Sequence, residues 1–229
     1  TNPDRYAVIG HPISHTRSPR IHTTFAKLTG ENLTYEAILS PVDDFQQVVA
    51  DFFFFSCAKG LNVTLPFKEQ AYALCDVKSL RATQAGAVNT LMKGKDGRLY
   101  GDNTDGVGLV RDMTQNLDWS LAGKRILVVG AGGAVRGVLG VLLAAKPVQL
   151  LIANRTHSKA QVLADIFLVY GQITALRFEN IAPHSIDVVI NGSSASLMGE
   201  LPPLAADILA ADARAYDMAY GKPKLPFLE

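Results

Sequence analysis

Cysteine is nearly missing from this chain: its 229 residues contain only Cys57 and Cys75. The two lack C-x-x-C spacing, and no histidine-rich tract accompanies them. Such a pair provides neither a disulfide framework nor a zinc site, and two reduced thiols fit a cytoplasmic protein. Charge of one sign is scarce as well. Lys and Arg number 22 against 21 Asp and Glu, a formal net charge of +1. No broad field is left to draw nucleic acid or an anionic membrane, so any anion must be recognised locally. Long apolar runs are also missing. No stretch reaches the ~18 residues of a membrane span, and the N-terminus shows no basic region followed by an apolar one. Neither a span nor a signal peptide is expected. His11, His15 and His22 lack the spacing of metal ligands, so no metal is assigned. Internal repeats and low-complexity tracts are absent.

What is present is apolar material for buried cores, 48% of the residues, in a length that suits one large domain or two modest ones. Strands are expected at Tyr6–Ile9, Tyr35–Leu39 and Leu61–Val63. Val88–Met92 and Arg98–Gly101 read as a hairpin around Lys95, Asp96 and Gly97. Helices are expected after Ser18, which would cap Pro19 at the first helical position, from Val42 with Asp43 and Asp44 in its first turn, and from Phe67 to Leu74. Strands alternating with helices predict a mainly parallel α/β sheet.

The pattern changes near Thr104. Val107, Leu109, Val110 and Met113 follow helical spacing. Arg125–Val129 is a buried strand, followed by a glycine-rich turn and a helix over Ala134–Ala145. Leu150–Ala153, a helix from Ser158 to Tyr170, and strands at Val188–Ile190 and Ala215–Met218 complete a doubly wound order. The fold expected is therefore α/β in two domains: an N-terminal α/β domain over residues 1–105 and a Rossmann-type, doubly wound domain over 106–229. The run Phe52 to Phe55 cannot share one face of a helix or strand, and burial on two sides is the simple expectation.

The strand-to-helix turn reads Gly130-Ala131-Gly132-Gly133-Ala134. Gly130 permits a tight turn, and Gly132 and Gly133 let a pyrophosphate approach the free N–H groups of the helix start. Val135 replaces the third glycine of G-x-G-x-x-G, so the fingerprint is partial; close packing alone would also explain such glycines. The end of the next strand separates the two dinucleotides. NAD sites place an acid there for the ribose hydroxyl. Here stand Asn154, Arg155 and Thr156, with Lys159 one turn on. Arg155 and Lys159 would attract a 2′-phosphate, and Asn154 and Thr156 can add neutral donors. NADP is the expected cofactor, set against the plainer reading of solvated helix-end charges.

Four polar segments follow or end the strands of the first half, around residues 10–19, 62–69, 87–90 and 101–106. In open α/β sheets ligands bind at the carboxyl ends of strands. These segments carry N-V-T-x-P-F-K, A-V-N-T-L and G-D-N-T-D-G. Together with G-A-G-G-A-x-R-G, N-R-T and Y-D-M, in that order, the chain resembles the shikimate dehydrogenase family from about Tyr6 to Phe227.

The resemblance implies NADPH-dependent reduction of 3-dehydroshikimate to shikimate, in the route to chorismate and the aromatic amino acids, by a substrate-binding and catalytic domain over residues 1–105 and an NADP-binding domain over 106–229 with a cleft between them. It implies that Lys68 and Asp105 are the catalytic pair. An ammonium near a carbonyl reduced by hydride stabilises the oxygen's developing charge and can give it a proton. Read alone, Lys68 is a cation at a helix start and Asp105 a helix cap. Thr16 and Ser18 match hydroxyls that bind the substrate carboxylate; the family's S-K-S-P is T-R-S-P here, and a capping role for Ser18 stands beside this. Asn62, Thr64 and Asn89 match residues that bind ring hydroxyls, and Tyr220 matches a tyrosine near substrate and nicotinamide, or a packing aromatic. Ser193, Ser194 and Met218 match positions lining the cofactor; the family's N-A-T-S is Asn191-Gly192-Ser193-Ser194. The partner implied is a small molecule bound by a monomer or homodimer. Family members usually continue with C-terminal helices carrying D-G-x-G-M-L-V-x-Q-A, which are expected to be missing from this sequence. A quinate/shikimate dehydrogenase that accepts NAD, and a non-catalytic NADP-binding sensor, are the alternatives.

Overall fold

A computed structural model describes residues 2–55, 57–220 and 225–229. The chain divides into two units, Thr1–Thr104 and Asp105–Glu229.

The first unit is built on a sheet ordered β2-β1-β3-β5-β6-β4. β1 is Asp4–Gly10, β2 Leu33–Leu39 and β3 Ala58–Val63; β2 and β3 both run parallel to β1. The expected hairpin forms between β5 (Thr90–Lys93) and β6 (Leu99–Asp102), with Leu91 opposite Gly101. The helices α1 (Ser18–Thr29), α2 (Phe45–Phe54) and α3 (Lys68–Leu74) follow the first three strands. Ile9, Phe45, Phe52, Leu61, Phe67 and Leu91 are buried in one core. Each such side chain contributes about 1.5–3 kcal/mol relative to exposure.

Several boundaries differ from expectation. Ser18 is the first helical residue rather than the cap: Arg17 holds that place, and Ser18 makes no capping bond. The Ser18 N–H instead donates to Thr16 Oγ1 at 3.3 Å. α2 starts three residues late because Phe45 is the first residue to pack, stacking on Phe67 at 4.6 Å, which leaves Asp43 and Asp44 outside its first turn. Phe52 and Phe53 are buried but Phe54 and Phe55 are exposed, because α2 ends at Phe54 and its last residues run off the core. β4 (Val77–Lys78) and α4 (Leu80–Ala85) were not anticipated, being too short to show a periodicity. Cys57 and Cys75 are both free, and burial pushes the Cys75 thiol up to about 11.

The second unit starts with α5 (Asp105–Arg111), which widens into a looser helical turn over Asp112–Asn116. Its five strands are all parallel, in the order β11-β10-β7-β8-β9. They are β7 (Arg125–Val129), β8 (Gln149–Ala153), β9 (Ile173–Leu176), β10 (Ile186–Asn191) and β11 (Leu209–Asp217). Ile126, Leu127 and Val128 are fully buried, the continuous apolar run of a strand covered on both faces. α6 (Gly133–Ala144) buries Val135, Val138, Leu139 and Leu142, the three-to-four spacing of one helix face. α7 (His157–Phe167) tightens into one further turn over Leu168–Tyr170, and α8 is Ala195–Met198. The strand order reverses between β7 and β10. In a doubly wound sheet the ligand crevice lies outside the carboxyl ends of the strands at that point.

Candidate active site

In the first unit, the loops after β1 and β3 are tied together. His11 N–H donates to the Leu65 carbonyl at 2.9 Å, and Thr64 N–H to that of Ile9 at 3.0 Å. Fully buried Phe67 then anchors the start of α3, so Lys68 leaves a fixed point as its first residue. Lys68 is half-buried, and its carbonyl accepts the Val88 N–H at 2.9 Å.

Around these loops, polar side chains form two short runs. Thr16 Oγ1 donates to Ser18 Oγ at 3.2 Å. The Tyr35 hydroxyl donates to Asn62 Oδ1 at 2.7 Å. Asn62 Nδ2 donates to Thr90 Oγ1 at 3.2 Å and Thr90 to Asn89 Oδ1 at 2.9 Å. Asn89 Nδ2 in turn donates to Thr104 Oγ1 at 3.0 Å. Thus Thr16 and Ser18 form one pair and Asn62 and Asn89 belong to a second run, with Thr64 half-buried two residues past Asn62. Asp102 braces the loop before Asp105. Arg81 and Ser79 donate to its carboxylate, and the Arg81 guanidinium holds that carboxyl below the usual carboxylate range.

In the second unit, Asp105 opens α5 and is half-buried. Gly130 ends β7 at φ +113, and a β-carbon there would meet Gly192 C and Ser193 N at 3.0 Å. That close approach of the β7 and β10 loops requires glycine. Nothing lies within 4 Å of a β-carbon built on Gly132 or Gly133, so the backbone at the start of α6 faces open space. Ala131 and Ala134 flank it, half-buried. In the first turn, Arg136 has a buried Nε with no hydrogen-bond partner among the described residues. Free helix-start N–H groups, an open glycine cradle and an unsatisfied guanidinium together fit a dinucleotide's phosphates.

Beyond β8, Asn154 Nδ2 donates to the Thr156 carbonyl at 2.9 Å and shapes the turn into α7. Arg155 and Lys159 are exposed, and Arg155 is 3.7 Å from Glu200 with 79% of its side chain open. Two cations and one acid thus stand at this strand end. Beyond β10, Asn191 is fully buried and accepts from both the N–H and the hydroxyl of Ser193, at 3.1 and 2.7 Å. Its amide donates to Ser196 Oγ and to Asp217 Oδ2, at 3.1 and 3.0 Å. Asp217 also accepts the Ala219 N–H at 2.8 Å, and Met218 N–H bonds the Asn191 carbonyl at 2.9 Å. Ser194 is exposed ahead of α8, and Tyr220 is 67% exposed.

Sequence reasoning missed Tyr35, Thr90, Arg136, His157, Ser196 and Asp217. Arg136 and Asp217 lay inside quoted motifs, and His157 directly follows Asn154-Arg155-Thr156. Its Nδ1 is buried with no partner among the described residues. Thr90 lay inside A-V-N-T-L, whereas Tyr35 gave no signal, because only tertiary pairing brings it to Asn62. Among the described residues, no group of three or more His, Cys, Asp or Glu could hold a metal ion, and no helix is long and apolar enough to cross a membrane.

Two family models match the chain: the shikimate dehydrogenase substrate binding domain over residues 8–91, and shikimate/quinate 5-dehydrogenase over residues 112–198. A relative from Alkalilimnicola ehrlichii, named shikimate dehydrogenase (NADP(+)), is 52% identical, with 98% of this chain and 82% of the relative covered. Among solved structures, an Ael1 enzyme from Pseudomonas putida is similar at TM-score 0.91 and 47% identity, covering 98% of this chain and 82% of that one. The shikimate 5-dehydrogenase of Thermus thermophilus, in complex with NADP(H) and shikimate, is similar at TM-score 0.87 and 32% identity over the same shares.

Proposed function

The chain belongs to the shikimate dehydrogenase family, and from that footing we propose that it catalyses the reversible, NADPH-dependent reduction of 3-dehydroshikimate to shikimate. The observation that carries this reading is 52% identity over 98% of the chain to a relative named for that activity. NADPH, when bound, supplies the hydride. The ammonium of Lys68 stabilises the charge that builds on the carbonyl oxygen and gives that oxygen its proton. Asp105 is the second member of the catalytic pair and binds a ring hydroxyl. Thr16 and Ser18 hold the carboxylate, and Asn62, Thr64 and Asn89 hold the ring hydroxyls. Polar groups matched to substrate hydroxyls reject analogues that lack them, because they would be left unpaired.

Residues Gly130 to Ala134 receive the pyrophosphate at the start of α6. Arg155 and Lys159, with Asn154 and Thr156, receive the 2′-phosphate. Ser193, Ser194 and Met218 line the nicotinamide side, and Tyr220 closes on substrate and nicotinamide. The enzyme works in the cytoplasm on small molecules, as a monomer or homodimer. The test is NADP⁺ reduction with shikimate, followed by absorbance, beside NAD⁺ and quinate. Turnover confined to NADP⁺ and shikimate supports the proposal. Equal turnover with NAD⁺ or quinate replaces it with a quinate/shikimate dehydrogenase, and NADPH binding without turnover replaces it with a sensor role.

A further inference from the structure

Tyr35 lies on β2, an edge strand, with β1 between it and Asn62 on β3. Its ring spans that gap. The phenol donates to Asn62 Oδ1 at 2.7 Å. The ring itself is held face to face against His22 of α1, 4.2 Å between centroids and 5° between planes. Burial keeps the His22 imidazole below its usual range and the Tyr35 phenol above its own, so both rings stay neutral at pH 7.

A carboxamide has two ends of similar shape, one accepting and one donating. A phenol that gives its single proton to Oδ1 fixes which end of Asn62 is which. Nδ2 is then directed to Thr90 Oγ1 at 3.2 Å and the Asn89 carbonyl at 3.4 Å, and Asn62 is presented as a donor on that side.

We propose that Tyr35 is a positioning residue for substrate: its hydroxyl sets the amide sense of Asn62. The proposal rests on the assignment of Asn62 as a substrate ligand. Tyr35→Phe keeps the ring on His22 and removes only the hydroxyl that meets Asn62.

The experiment is steady-state kinetics of shikimate oxidation by Tyr35→Phe, Asn62→Ala and the double variant, with melting midpoints alongside. Tyr35→Phe is expected to raise KM for shikimate about tenfold while kcat and KM for NADP⁺ stay within about twofold, a split that general loosening would not produce. In the Asn62→Ala background the same change is expected to add nearly nothing, the signature of two groups acting as one. If Asn62→Ala raises KM but Tyr35→Phe does not, or if the two effects simply add, Tyr35 has no positioning role and the substrate reading stands. If Asn62→Ala leaves KM unchanged, it is the assignment of Asn62 that fails. Should Tyr35→Phe melt early, the kinetics are read well below its melting midpoint, where a rise shared equally by KM for shikimate and KM for NADP⁺ overturns the proposal and a rise confined to shikimate supports it.

Discussion

A β-carbon built on Gly192 would lie 2.5 Å from Val135 Cγ2 and 3.1 Å from Met218 Sδ. Val135 stands where the dinucleotide fingerprint has glycine, and Gly192 stands where the family pattern N-A-T-S has alanine. The two departures compensate each other in volume: the valine fills what the missing methyl leaves open. Gly192→Ala should therefore overpack the junction of β7, α6 and β10, at a cost of about 1–3 kcal/mol. It should lower the melting midpoint and weaken NADPH. Adding Val135→Ala should restore both. Wild-type melting and NADPH affinity in the single variant would show that the contact is relieved by a small shift.

Lys68→Ala should lower turnover by about 10²–10⁴ with NADPH binding nearly intact, because the lysine acts on the carbonyl oxygen and not on the cofactor. Stopped-flow or steady-state turnover beside fluorescence titration of NADPH reads the two separately. Unchanged turnover would remove Lys68 from catalysis.

Arg155→Ala should weaken NADPH far more than NADH, since only NADPH carries the 2′-phosphate. Glu200, 3.7 Å from Arg155, makes an exposed pair of the kind that contributes little and that a phosphate can displace. Glu200→Gln should leave NADPH affinity equal or improved. Equal losses for NADPH and NADH in Arg155→Ala would move the phosphate site elsewhere.

Acid should loosen the loop before Asp105. The Arg81 hydrogen bonds, more than any other cause, depress the Asp102 carboxyl. A carboxyl whose folded value is depressed adds stability that is fully present above its unfolded value, about 3.9, and is lost as pH falls through the folded one. Arg81→Ala should lower the melting midpoint near pH 7, where that contribution is fully present, and the difference from wild type should shrink as pH falls through the folded value. Melting curves between about pH 2 and pH 7 check this. An unchanged midpoint near pH 7 would mean that this partly exposed pair is replaced by solvent at no cost.

Much of the architecture was legible because its signals are local. Arg125–Val129 and Leu150–Ala153 are apolar runs whose burial on two faces can be read directly, and the observed strands β7 and β8 coincide with them or start one residue earlier. The 97-centred hairpin announced itself by its glycine, found at φ +79. β4, α4 and β9 were missed: they hold too few positions to define a period and carry no unbroken apolar run like those of β7 and β8.

At the site, the sequence by itself determined the chemistry on offer: a lysine after N-V-T-x-P-F, an acid closing G-D-N-T-D, a glycine-rich helix start and two cations past β8. These are properties of neighbouring residues, and chain order preserves them. Tertiary structure alone decided which distant groups share protons. Tyr35 is 27 residues from Asn62, and Asp217 is 26 residues from Asn191. Sheet register brings each pair within hydrogen-bond range, and register is settled by burying one face of every strand at once, which no single segment of the sequence encodes.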